Sequence, residues 1–167
     1  RPSEPFAGLD QAICSNSYEL KAVTPSFGQG LWTIEEGGGK IVDPNSPETM
    51  VTNLAYGKTR FKWTLTVDNN CPIFKEVVII NGSPSDADAG PDTEDCSSES
   101  VLDANIPSVG EGMWSILSGA EGTLEDPLNP KTAVKNLIFG ENKFLWVITN
   151  TTLGLDGNTF QCTSKDT

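Results

Sequence analysis

The sequence predicts an all-β chain built as two tandem β-sandwich domains, residues 1–82 and 83–167, the second lacking its last strand. Three observations carry that prediction. Residues recur in matching order 82 positions apart, as Ala7 and Ala89 do. Short segments alternate between apolar and polar residues and are punctuated by 16 Gly and 11 Pro. No stretch places apolar residues at helical spacing.

The repeat can be followed along most of the chain. Ala7-Gly8-Leu9-Asp10 matches Ala89-Gly90-Pro91-Asp92, and Cys14-Ser15 matches Cys96-Ser97. Gly28-Gln29-Gly30-Leu31-Trp32 matches Gly110-Glu111-Gly112-Met113-Trp114. After a one-residue insertion, Asp43-Pro44-Asn45-Ser46-Pro47 pairs with Asp126-Pro127-Leu128-Asn129-Pro130. Asn53-Leu54 and Gly57 pair with Asn136-Leu137 and Gly140, and Phe61-Lys62-Trp63 with Phe144-Leu145-Trp146.

Within each copy, alternation locates the strands. Phe61, Trp63, Leu65 and Val67 alternate with Arg60, Lys62, Thr64 and Thr66, the pattern of a strand with one buried face. Tyr18, Leu20 and Ala22, then Trp32 and Ile34, then Val77 and Ile79 supply further inward positions. Gly37-Gly38-Gly39 and Asp43 to Pro47 read as turns, because Gly and Pro weaken strand interiors. About seven strands in roughly 80 residues describe an immunoglobulin-like sandwich. Glu76-Val77-Val78-Ile79-Ile80 reads as a separate final strand, and Thr167 aligns with Glu76, so copy 2 has no counterpart of it. The expectation is a piece of a longer tandem array; the alternative is a strand donated by another subunit.

Charge and composition exclude several classes of function. The chain carries 11 basic and 23 acidic side chains, a net charge of −12, and no histidine. Such a surface repels phosphate backbones, so no nucleic-acid partner is expected. Without histidine there is no Ser-His-Asp or Cys-His catalysis. No run is long and apolar enough to span a membrane, and no signal peptide opens the chain at Arg1. The adjacent carboxylates Glu35-Glu36 and Glu94-Asp95 are expected on opposite strand faces, which makes neither pair a catalytic one. No enzyme activity is expected.

The series Ala-Gly-x-Asp, Cys, Gly-x-Gly-x-Trp, Asp-Pro-x-x-Pro and Gly before Phe-x-Trp resembles the PKD-like, immunoglobulin-like repeats of very large secreted Bacteroidetes surface proteins, gliding-motility-type adhesins among them. The resemblance covers nearly the whole chain, twice. Copy 1 departs from it with Leu9 in place of Pro, and copy 2 with Thr93 in place of Gln. It implies export to the cell surface, many sandwiches in series, and a non-catalytic role in display or adhesion. The implied partners are neighbouring repeats of the same chain and, beyond them, surface polysaccharide or another cell. Alternatives are a glycan-binding module, spacer domains of a secreted enzyme, and a filament subunit assembling by strand donation.

Four residue groups are candidates for special roles. Repeat equivalence predicts the disulfides Cys14–Cys71 and Cys96–Cys162, suited to an oxidising, extracellular compartment. Trp32, Trp63, Trp114 and Trp146 fall in phase with inward residues, which predicts core packing over a carbohydrate-stacking platform. Asp86, Asp88 and Asp92 offer hard oxygen ligands at the join between copies; a solvated acidic linker and a calcium site are the two readings, with no other cofactor expected. The segment from Asn150 to Gln161 is eight residues longer than its copy 1 equivalent, twelve residues before Cys162 against four before Cys71. Its Leu153, Leu155, Asp156, Asn158 and Phe160 read as a buttress against copy 1 or as a ligand loop.

Overall fold

A computed structural model describes residues 4–26, 28–67, 70–119 and 122–167, with the side chains of residues 67, 70 and 71 outside the description. Its described elements are all strands. They form two compact units: residues 1–82 with 152–160, and residues 83–151 with 161–167.

The first unit contains β1 (Gln11–Ile13), β2 (Tyr18–Lys21), β3 (Gln29–Glu36), β4 (Lys40–Ile41), β5 (Glu48–Thr52), β6 (Gly57–Val67) and β7 (Asn70–Asn81). One sheet runs β1-β7-β6-β3 and the other β2-β5-β4. Leu20 and Val51 from the smaller sheet share one core with Trp32, Phe61, Trp63, Leu65, Val77 and Ile79 from the larger. Two sheets closing over one apolar layer make a β-sandwich of immunoglobulin type. The expected alternation of β6 is realised, with Phe61, Trp63 and Leu65 buried and Arg60, Lys62 and Thr64 only partly so; the Val67 side chain lies outside the described residues.

The second unit repeats the plan with β8 (Glu99–Val101), β9 (Glu111–Ser118), β10 (Thr123–Leu124), β11 (Ala133–Lys135) and the greater part of β12 (Lys143–Leu153) and β13 (Thr159–Asp166), whose residues 152–153 and 159–160 count with the first unit. Its sheets are β10-β11-β8 and β13-β12-β9. Its core is thinner, built on Ala89, Ala104, Trp114, Trp146 and Ile148.

The motifs of the repeat acquire physical causes. Trp32 faces Trp63 across the β3–β6 pair, ring centroids 5.1 Å apart and tilted 44°; Trp114 and Trp146 do the same at 5.2 Å and 46°. All four indoles are at most 3% exposed, as core packing requires and a sugar platform would not. The second glycine of Gly-x-Gly-x-Trp makes room for them. A Cβ on Gly30 would stand 2.0 Å from the six-membered ring of Trp63, and one on Gly112 at the same distance from Trp146. In Asp-Pro-x-x-Pro, the Asp43 carboxylate accepts the Asn45 N–H and the Thr49 hydroxyl accepts the Asp43 N–H. Asp126, Leu128 and Thr132 repeat both bonds. Trp32 Nε1 donates to the Pro47 carbonyl and Trp114 Nε1 to that of Pro130, tying each turn to the core.

Three expectations are corrected. Glu76 to Ile80 is not a separate strand: it continues the Cys71 segment as the second half of β7, which pairs antiparallel with β6 and, at Ile79–Asn81, parallel with β1. Val77 and Ile79 remain in phase with the inward face of this longer strand, so no turn intervenes. Glu35 and Glu36 do not face opposite ways. A bulge between Ile34 and Glu36 breaks the alternation, so Glu35 reaches Lys62 at 2.8 Å and Glu36 reaches Arg60 at 3.5 Å, two cations on one face of β6. Glu94 and Asp95 lie in irregular chain, so strand alternation does not govern them.

The third correction concerns the disulfides. Cys14 and Cys162 are disulfide-bonded, and Cys96 is a free, exposed thiol. The Cys96–Cys162 pair is therefore not formed, and the expected Cys14–Cys71 pair involves the Cys71 side chain, which lies outside the described residues. Repeat equivalence misled here because equivalent cysteines have unlike surroundings. Cys14 follows β1, which β7 holds in place, whereas Cys96 follows the exposed irregular residues 91–95. Iodoacetamide without reductant is expected to label Cys96 and leave Cys14 and Cys162 untouched; an unlabelled Cys96 peptide in the mass spectrum contradicts the assignment.

Candidate functional site

The eight extra residues of copy 2 do not form a loop on a short hairpin. They lengthen β12 and β13, and only Gly154–Asn158 turns between them. The turn is closed by Gly154 N–H donating to the Asn158 carbonyl at 2.7 Å. The Asp156 carboxylate accepts the Asn158 backbone N–H at 3.0 Å and its side-chain amide at 2.8 Å. These bonds hold the Asp156 carboxyl below its ordinary range, the side-chain bond contributing most. Replacing Asn158 by Ala is expected to return the Asp156 titration toward the ordinary aspartate value; an unchanged NMR titration curve would rule out this cause.

Residues 152–160 belong to the first compact unit. Phe160 is half-buried there, and its ring occupies the space a side chain on Gly82 would need, 2.6 Å from the Cβ position. Leu153 and Leu155 are exposed. Leu155, Asp156, Asn158 and Phe160 line one wall of a groove of about 280 Å³, and Asp10, Gln11 and Ala12 line the other. Asp10 is committed to the fold, its carboxylate accepting the Val78 N–H at 2.8 Å. Asp156 is likewise engaged, through its two bonds from Asn158, so both carboxylates of the groove serve the fold. The Asp10–Ala12 wall was invisible in the sequence, since nothing local ties residue 10 to residue 156.

A second depression, about 720 Å³ and wide open, lies in the second unit and is lined by Asp88, Asp103, Asn105 and Lys131 among others. Lys131 and Asp103 neutralise each other at 2.8 Å. The three aspartates of the acidic stretch each stand apart. Asp88 caps the Gly90 N–H, Asp86 offers its backbone carbonyl to the Asn105 amide, and Asp92 is exposed. Among the described residues, no group of three or more His, Cys, Asp or Glu converges as a metal site.

Asn105 organises this region and was missed in the sequence. Its Oδ1 accepts both the Asp88 N–H at 3.0 Å and Trp146 Nε1 at 3.2 Å. Copy 1 has Val23 at that position, and Trp63 Nε1, fully buried, has no acceptor among the described residues. A polar residue in one copy opposite an apolar one in the other was the available signal. On the outer face of β6, Lys62 and Thr33 hold Glu35 below the ordinary glutamate range, so it stays ionised rather than acting as an acid.

No helix among the described residues is long and apolar enough to cross a membrane. No protein-family model matches the chain, and no curated protein matches it. Among solved structures it is similar to the insect immune protein hemolin, at 11% identity and TM-score 0.49, over 98% of this chain and 46% of that one. Human CDH23 EC21-23 matches at 10% identity and TM-score 0.36, over 98% and 62%. The fibronectin(III)-like modules of Clostridium thermocellum CbhA match at 13% and 0.29, over 99% and 91%. The chain thus spans about half the length of the hemolin chain it matches.

Proposed function

We propose that the chain is a pair of structural repeats from a long extracellular bacterial surface protein, of the PKD-like kind its motifs resemble, serving as stalk or spacer in adhesion. The observation that carries this reading is the duplicated core. Both copies spend their identical residues on the same internal contacts: paired indoles over a glycine, and an aspartate turn anchored to a tryptophan. A repeat selected for a shared scaffold keeps such contacts and leaves its surface free to vary. The disulfide suits an oxidising location outside the cytoplasm. A charge of −12 keeps such chains apart in solution.

A ligand-binding reading, most plausibly for glycans, rests on the groove between residues 10–12 and 154–160. Purified protein on a glycan panel and on polysaccharide-coated surfaces separates the two. The stalk reading expects no saturable binding. Saturable binding that disappears on deleting residues 151–158 would replace it with a recognition module.

A further inference from the structure

The duplication supplies an internal control for the outer face of each larger sheet, the side turned away from the core. In the first unit that face is crossed by charge: Glu35 pairs with Lys62, Glu36 with Arg60, and Arg60 with Glu76. In the second unit the repeat counterparts of Glu35, Lys62 and Thr64 are Leu117, Leu145 and Val147, and Met113 stands where copy 1 has Leu31. Trp114 and Trp146 are buried on the inner face, so alternation turns Met113 on β9 and Leu145 and Val147 on β12 outward. Met113 lies directly opposite Val147, and Ser115 opposite Leu145. Leu117 is the extra residue of the bulge between the Ile116–Phe144 and Ser118–Lys143 pairs. Met113 and Leu117 are each 52% exposed, and Leu145 and Val147 are partly exposed.

Four neighbouring apolar side chains on a solvent face mark a contact surface, because water gives them nothing that the charged residues of copy 1 lack. The edge of this sheet is not what is offered. β9 is its outer strand, but the Trp114 N–H there already donates to the Pro127 carbonyl at 2.8 Å. Charge indicates what the face fits. Glu111 stands exposed at one end of the patch, opposite Thr149, and Lys143 stands exposed at the other, opposite Ser118. The ion pair of Lys143 with Glu141 at 3.2 Å lies in solvent and is readily exchanged. An apolar patch with an anion at one end and a cation at the other is complementary to itself turned end for end.

We propose that the outer face of β9 and β12 binds the same face of a second copy of this chain, sheet on sheet. The two-fold axis crosses the strands between the Met113–Val147 and Ser115–Leu145 pairs. It sets the apolar side chains of each copy against those of the other and brings Glu111 to the partner's Lys143 at both ends. The size of the face fixes the strength. Three strands about 4.8 Å apart, at about 3.3 Å per residue, give β9, β12 and β13 a face of roughly 400 Å², about half of what one partner buries in a stable interface. The dimer is therefore weak and reversible. This goes beyond the stalk reading and does not depend on it, since any role of the chain leaves the two faces equally free to meet.

The test is sedimentation velocity of the intact chain from about 10 μM to about 1 mM, in about 150 mM salt, where long-range repulsion from the charge of −12 is screened. A monomer–dimer equilibrium with Kd on the order of 100 μM is expected. The L117E/L145K/V147T variant installs the residues that copy 1 carries at these positions. It is expected to keep the parent near-UV circular dichroism and to stay monomeric throughout. Leu31→Ser, on the equivalent face of the first unit, is expected to leave the dimer unchanged. Glu111→Lys is expected to weaken association several-fold, and adding Lys143→Glu to restore it. A parent chain that is monomeric at the highest concentration would overturn the proposal. So would a dimer that survives the triple variant or is lost equally in Leu31→Ser. Should the triple variant fail to fold, the charge swap decides: a double variant that associates no better than Glu111→Lys alone refutes the two-fold pairing. A glycan-panel result of either kind leaves this experiment unaffected.

Discussion

Gly30→Ala is expected to unfold the first repeat at temperatures where the parent chain is stable. The added methyl would sit 2.0 Å from an indole carbon of Trp63, a ring with no exposed surface. Trp63 has no free space to retreat into, because it is fully buried, Trp32 stands 5.1 Å away, and Phe61 and Leu65, also buried, flank it on β6. Overpacking of a rigid core places the cost at about 3 kcal/mol or above. Gly112→Ala is expected to act likewise on the second repeat through Trp146. The cause can be isolated with a double-mutant cycle in urea. In a Trp63→Phe background the outer indole carbons are gone, and Gly30→Ala is expected to lose most of its cost. A Gly30→Ala penalty below about 0.5 kcal/mol, or one equal in both backgrounds, would show that the indole is not what demands glycine.

Asn105→Val is expected to cost about 2 kcal/mol, because it strands a buried donor. Trp146 Nε1 loses its acceptor at 3.2 Å, the Asp88 N–H loses its acceptor at 3.0 Å, and the Asp86 carbonyl loses its donor at 2.9 Å. The reciprocal change has the opposite sign. Val23 holds the repeat position of Asn105 and is nearly half exposed, and Trp63 Nε1, the counterpart of Trp146 Nε1, has no acceptor among the described residues. Val23→Asn is therefore expected to stabilise the first repeat by about 1 kcal/mol. Denaturant melts of both variants decide the matter. An unchanged Asn105→Val midpoint, or a destabilised Val23→Asn protein, would detach the indole bonds from stability.

The residues behind these two predictions differ in how far the sequence announced them. Gly30 and Gly112 recur in register with the tryptophans, and a strand alternation of period two placed those tryptophans inward, so core and motif could be read together. Asn105 lacked such a cue within its own segment, and only its mismatch with Val23 marked it. The groove was half legible: the extra length before Cys162 flagged residues 153–160, while its other wall, Asp10 to Ala12, came from the far end of the chain.

The amino-acid sequence by itself determined that this protein is a duplicated all-β chain, where its turns fall, and which face of each main strand is buried. Those features depend on neighbours a few residues apart, through side-chain alternation and the backbone limits of Gly, Pro and Asp. It took the folded chain to settle that Glu76 to Ile80 runs on from Cys71 as one strand, that β1 joins it in parallel, that a bulge turns Glu35 and Glu36 the same way, and that Cys14 and Cys162 are disulfide-bonded while Cys96 stays free. Each of these depends on which distant segments meet. Two cysteines in equivalent positions of a repeat share a local sequence, yet a bond forms only where a second sulfur is brought to them, and that is a property of the folded chain.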